Sequence, residues 1–309
     1  MDGFRIPVGS WVADGVDWIR DNLDGFLDAI AFIVRLLVDT LTDVLVSTPI
    51  PLAIVIAALI GWVVRSWQLA IGTLVSFALI VGMDQWSTSM QTLSLVLVAT
   101  LIAVAISVPL GIWSARNARV RSVLKPVLDF MQTMPAFVYL IPAITFFSIG
   151  VVPGLVSTVI FALPPGVRLT ELGIRGVDSE TVEAGQAFGA TPGQILRGIQ
   201  LPLAMPTIMA GVNQVIMLAL SMAVVAGIVG ADGLGKEVVS AISTVNLAKG
   251  VEAGLSVVFI AVFLDRVTAA LGEPGAYRGS LLGMLGRRRV ARKATATEPA
   301  TAPAPEPVH

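Results

Sequence analysis

Seven stretches with few or no charges limit what this chain can fold into: about 50–64, 67–83, 91–113, 127–147, 152–172, 204–229 and 253–272. A helix satisfies its own N–H and C=O groups, and roughly 20 apolar residues in helical form cross the ~30 Å hydrocarbon core of a bilayer. The stretches therefore predict an all-α integral membrane protein with about seven transmembrane helices. The first two are short and separated only by Arg65-Ser66, which predicts a tight helical hairpin. Only 13% of the residues are charged, against roughly a quarter in a soluble domain, so the lipid bilayer is the expected solvent.

Basic residues set the expected orientation. Arg116, Arg119, Arg121 and Lys125 share one connection, Arg168, Arg175 and Arg197 flank or occupy another, and Arg287, Arg288, Arg289, Arg292 and Lys293 follow the last apolar run. With seven spans these segments and Arg65 fall on one side, which the positive-inside rule makes cytoplasmic. The N-terminus is then outside and the C-terminus cytoplasmic. Met1–Ser10 lacks the basic start and apolar run of a cleavable leader.

Several chemistries are excluded. The chain has no cysteine, hence no disulfide, thiol nucleophile or thiolate metal site. Its single histidine is His309, so a histidine-based metal or acid–base centre is not expected. A net charge of −1 argues against a nucleic-acid partner.

Residues 1–48 break the spanning pattern. Asp14, Asp17, Asp21, Asp24 and Asp28 recur at helical spacing, and Arg35, Asp39 and Asp43 continue the stripe. Residues 29–46 are apolar enough for a span, but each of their three charges would cost about 2.5–3.5 kcal/mol near a helix centre. The expectation is an extracytoplasmic or interfacial amphipathic helix lying on the membrane surface or against the bundle, facing protein or water, with an eighth span as the alternative. Residues 49–88 form the hairpin region, 89–275 the core, and 276–309 a basic and then Pro/Ala-rich cytoplasmic tail expected to be disordered.

The connection 173–203 is polar and carefully punctuated. Asp178 is placed to cap a helix, with Glu180 and Glu183 near its positive end. Gly189 supplies a stop, and Thr191-Pro192 restarts a second short helix. Ile195, Leu196 and Ile199 give that helix an apolar side. Capping predicts a rigid helix–turn–helix knob, and equally fits an ordinary connection.

Within this knob Glu183, Ala184, Gly189, Ile199, Leu201 and Pro202 stand in register with the EAA signature of ABC-importer permeases, which the segment resembles. Gly185 departs from the pattern's alanine, with an expected effect only on local helix propensity. Pro109–Trp113, Leu128–Leu140, Ile160–Pro165 and Gln200–Asn213 resemble the glycine betaine/proline branch over roughly residues 90–270. The resemblance implies a type I importer permease (MetI-like) bundle in a bacterial inner membrane, serving osmoprotection. It would be a homodimer that imports glycine betaine, proline or related quaternary-ammonium solutes such as choline and carnitine. It implies two cytoplasmic ATPase subunits carrying ATP and magnesium, an extracytoplasmic substrate-binding protein, and Glu183–Gly189 as the coupling helix. This chain itself would bind no cofactor and catalyse no reaction.

Polar and aromatic residues inside spans are path candidates: Gln132, Phe137, Tyr139, Asn213, Met217 and Ser221. Asn213, Met217 and Ser221 follow i, i+4, i+8 spacing, and interhelical hydrogen bonding or packing remains the alternative use of the whole set. Gly230-Ala-Asp-Gly233-Leu-Gly235-Lys236 approaches a phosphate loop, but Glu237 stands where Ser or Thr would hold magnesium. The resemblance makes Gly230, Gly233 and Gly235 part of an outer gate loop. A permease for another small solute is the rival within the family, and an ion-gradient-driven carrier is the rival class. Spans nearly devoid of Asp and Glu oppose it, and such a carrier has no need of the 173–203 knob.

Overall fold

The structure is a computed structural model and describes residues 7–272. The basic and Pro/Ala-rich tail expected over 276–309 lies outside the described residues. The described chain is helical: α1 (Val8–Asn22), α2 (Asp24–Ser47), α3 (Ile50–Val64), α4 (Trp67–Gly82), α5 (Trp86–Arg116), α6 (Ala118–Thr133), α7 (Ala136–Phe147), α8 (Val151–Arg175), α9 (Ser179–Ala187), α10 (Pro192–Ile195), α11 (Leu201–Ala226), α12 (Leu234–Ser243) and α13 (Leu247–Gly272). A π-helical turn, Leu196–Gln200, joins α10 to α11, and a 3₁₀ turn, Gly227–Val229, follows α11.

Helices α5, α8 and α11 form the centre, and small residues set their spacing. A Cβ on Gly111 would lie 2.5 Å from Thr170 Cβ, one on Gly166 2.5 Å from Ser107 Oγ, and one on Gly211 3.0 Å from Leu169 Cβ. Lipid tails are as apolar as leucine, so close backbone approach and dispersion, rather than water exclusion, hold such helices together. Val96, Val167, Val215 and Ala219 are fully buried in this centre.

The expected count of seven spans is not what the helices give. By length and composition four described helical segments can cross a membrane: Trp86–Arg116, Val151–Arg175, the continuous Pro192–Val229 and Leu247–Gly272. Two bent pairs, α2 with α3 at 108° and α6 with α7 at 99°, raise the number to six if each is one span. The single run expected at 127–147 is broken because Pro135 forces Met134 into extended backbone, with ψ of 132°. Helices α3 and α4 have 15 and 16 residues, so each rises only about 22–24 Å. They do form the expected hairpin around Arg65-Ser66, where Ser66 Oγ accepts from Leu69 N at 3.4 Å.

The N-terminal region is two helices, broken at Leu23. Helix α2 lies against the bundle through Leu27, Val34 and Val38, which meet Val98, Ala99 and Leu155. Ser94 Oγ of α5 donates to the Val38 carbonyl at 2.9 Å. On its outer side Phe32, Ile33 and Leu36 are exposed. Asp28, Arg35, Asp39 and Asp43 are exposed as well, so the outer side of α2 is mixed apolar and charged.

Candidate functional site

Helix α9 is fixed at both ends. Asp178 Oδ1 accepts from Glu180 N at 2.9 Å. At the other end Ala190 N donates to Gly185 O at 3.1 Å and Gly189 N to Gln186 O at 2.8 Å, with Gly189 at φ +78°. These two bonds form a Schellman motif, which requires a residue comfortable at positive φ. Thr191 then opens α10 with a capping box: its N donates to Gln194 Oε1 at 2.8 Å, and Gln194 N donates back to Thr191 Oγ1 at 3.4 Å. Next comes the π turn, in which Leu201 N reaches back to Leu196 O just before Pro202, exposed in the first turn of α11.

The knob rests on the bundle through a narrow contact. Ile195 and Leu196 are buried, Leu196 joins Ile174, Ala204 and Ile208, and Leu201 is half-buried beside them. Gly185 faces half-buried Ile199: a Cβ there would lie 2.7 Å from Ile199 Cδ1. The only close obstacle to an alanine at Gly185 is the flexible tip of Ile199, which can move aside. Glu183 and Ala184 point away from the bundle, and Phe188 is 92% exposed. Sequence reasoning passed over Phe188. Its signal was an aromatic residue immediately before the C-cap glycine of a polar connection.

The six path candidates separate into two groups. Tyr139 is buried, its hydroxyl donates to the Met131 carbonyl across the α6–α7 break, and its ring meets Phe161 edge-on at 6.0 Å. Asn213 Nδ2 donates to Asp265 Oδ1 and Thr268 Oγ1 donates to Asn213 Oδ1, both at 2.8 Å, tying α11 to α13. These two residues serve helix contacts. Gln132, Phe137, Met217 and Ser221 are exposed. On α11 the exposed stripe is Gln214, Met217 and Ser221, so Gln214 takes the place expected for Asn213. Helix α7 seats on Met222 and Val225 of α11 and on Val229 of the 3₁₀ turn that follows it, so the exposed edge of α7 borders that stripe.

The glycine loop is built into the end of the bundle opposite α9. Gly230 and Gly233 have φ of +84° and +115°. A Cβ on Gly233 would lie 2.5 Å from Thr92 Oγ1, and one on Gly235 2.5 Å from Ala223 O. Leu234 N donates to Thr92 Oγ1 at 2.8 Å, which commits this amide to the protein. Lys236 pairs with Asp232 at 2.7 Å, and that hydrogen bond raises the ammonium above its ordinary pKa. Among the described residues no group of His, Cys, Asp and Glu side chains could hold a metal.

The family model of the binding-protein-dependent transport system inner membrane component matches residues 107–273. The chain belongs to this family. The glycine betaine/proline betaine transport system permease protein ProW of Escherichia coli is 45% identical over 275 residues, covering 89% of this chain and 78% of that one. The glycine betaine transport system permease protein OpuAB of Bacillus subtilis is 46% identical, covering 89% and 98%. The glycine betaine/carnitine transport permease protein GbuB of Listeria monocytogenes is 49% identical, covering 87% and 96%. An inward-facing structure of the MetNI methionine ABC transporter aligns with a TM-score of 0.53 at 24% identity, over 58% of this permease and 92% of that chain. The last likeness concerns the fold. As a permease of this family the chain is a non-catalytic membrane component, and the phosphate-loop-like glycines have a packing explanation instead.

Proposed function

We propose that this permease forms the membrane path of an ATP-driven importer for glycine betaine, proline betaine or a related compatible solute such as proline, choline or carnitine. The observation that carries the reading is identity of 45–49% with three glycine betaine permeases over almost the whole described chain. In this reading two copies line the path, each contacts a cytoplasmic ATPase that holds ATP and magnesium, and an extracytoplasmic binding protein delivers the solute. The N-terminus is outside and α9 is cytoplasmic.

Helix α9 is the coupling element. Glu183, Ala184 and Phe188 present the face that enters the ATPase. Gly185, Gly189, Ile199, Leu201 and Pro202 hold that face on the bundle. The capped ends support this role, because a knob that frays would absorb motion instead of passing it to α8 and α11. Gln132, Phe137, Gln214, Met217 and Ser221 border the path, while Gly230, Gly233 and Gly235 shape its outer gate. Exposed Phe137 offers a ring face to a quaternary ammonium.

The test is uptake of labelled glycine betaine by the complete complex in vesicles, with choline, proline and carnitine as competitors. Uptake should require ATP and fall with competing onium solutes. Uptake that persists without ATP under an ion gradient would overturn the reading. So would unchanged uptake and assembly when Glu183 and Gly189 are both replaced.

A further inference from the structure

A pocket of about 630 Å³ opens between α6 and α8. It lies at the end of the bundle that carries α9, because Arg175 lines it and ends α8 just before α9 begins at Ser179. Each helix offers one face. Arg121, Lys125 and Leu128 of α6 follow i, i+4, i+7 spacing, and Arg168, Glu171, Leu172 and Arg175 of α8 follow i, i+3, i+4, i+7. The guanidiniums of α8 therefore start from backbone positions about 10 Å apart along its axis. Buried Leu128 backs the pocket, and exposed Leu172 stands at its rim.

The charges in this pocket do not cancel. Arg168 is bonded to Asp129, and Glu171 Oε2 accepts from Ser114 Oγ at 2.7 Å. Among the described residues no carboxylate lies within ion-pair distance of Arg121, Lys125 or Arg175. Four cations against Asp129 and Glu171 leave two net positive charges. Arg121 and Arg168 are half-buried, where water screens charge less than at an open surface.

We propose that this pocket binds a phosphate monoester, its phosphoryl group held among Arg121, Lys125 and Arg175. A phosphomonoester brings three terminal oxygens and a charge of about −1.5 to −2 at neutral pH, which matches three cationic side chains and two net positive charges. A carboxylate brings two oxygens and a single charge. Guanidinium forks also take phosphate oxygens in pairs. The volume exceeds what one phosphoryl group fills and leaves room for the group it esterifies. A phosphatidic acid headgroup and a soluble ester such as glycerol 3-phosphate carry this same chemistry.

Native mass spectrometry of the complete complex, with added dioleoyl phosphatidic acid or dioleoyl phosphatidylcholine, tests this. Phosphatidic acid should be retained in preference to phosphatidylcholine. Arg121→Gln and Arg175→Gln should each cut that retention about tenfold, the scale of one charge-assisted contact, without lowering the melting temperature. Asp129→Asn should raise it roughly threefold by removing a negative charge and releasing Arg168, a gain that misfolding does not produce. Displacement of the lipid by millimolar glycerol 3-phosphate would identify a soluble ester as the source, and resistance to it a membrane lipid; both support the site. Equal retention of the two lipids, retention unaltered by both arginine variants, or retention lowered by Asp129→Asn would overturn the proposal. Loss of the ATPase from Arg121→Gln with lipid retention unchanged would give the pocket to a partner's carboxylates and overturn it equally.

Discussion

Gly111 and Gly185 are both crowded, yet they should respond differently to one added methyl group. A Cβ on Gly111 meets Thr170 Cβ at 2.5 Å and the Val167 carbonyl at 2.7 Å, and neither can retreat unless α8 moves. Gly111→Ala should destabilise the bundle by about 1–3 kcal/mol, seen as a lower melting temperature of the purified complex. At Gly185 the obstacle is the tip of Ile199, which can change rotamer, so Gly185→Ala should leave melting nearly unchanged. Asn213 is a third case. Asn213→Leu removes the donor to Asp265 and the acceptor of Thr268, and an orphaned polar group in the span costs about 1–3 kcal/mol. The same melting measurement checks it, and Asp265→Asn, which keeps a hydrogen-bonding partner, should be milder.

At the scale of elements, the break between α6 and α7 and its brace decide the 99° angle between these two helices. Pro135 makes the break local and readable, since the residue before a proline avoids helical backbone. The brace is not readable, because Tyr139 and Met131 meet only after the chain has turned. Tyr139→Phe should lose about 1 kcal/mol, with faster hydrogen exchange around 131–139 and no change in helix content. Unaltered exchange would mean that packing on Phe161, and not the hydroxyl, holds the angle. The caps of α9 and α10 were legible because they depend on contacts within four or five residues. The role of Gly185 was not, since Ile199 approaches from the next segment.

For the whole molecule, the exposed aromatic on the knob gives the sharpest separation of folding from assembly. Phe188 buries almost nothing in this chain, so Phe188→Ala should not alter the permease's own melting. As an anchor in a partner groove it would carry about 2 kcal/mol or more, roughly 30-fold in affinity. Co-purification of the ATPase with the variant, and its solute-stimulated ATP hydrolysis, check this. Full retention of both would place the contact elsewhere on α9.

The sequence by itself determined that the chain is a helical membrane protein, where the Arg65-Ser66 hairpin turns, how the knob is capped, and which family its register matches. Each of these rests on runs or spacings within about twenty residues. The tertiary structure decided which side of each helix is used. Neighbouring residues on a helix point about 100° apart, so a small rotation exchanges Gln214 for Asn213 on the exposed stripe, and α13 sets that rotation by binding Asn213. The structure also split one expected span at Met134-Pro135 and laid α2 against α5 and α8. It brought Arg65 beside Arg266 across 201 residues of chain. Hydropathy and local spacing carry no term for contacts between distant segments, so packing alone could make those choices.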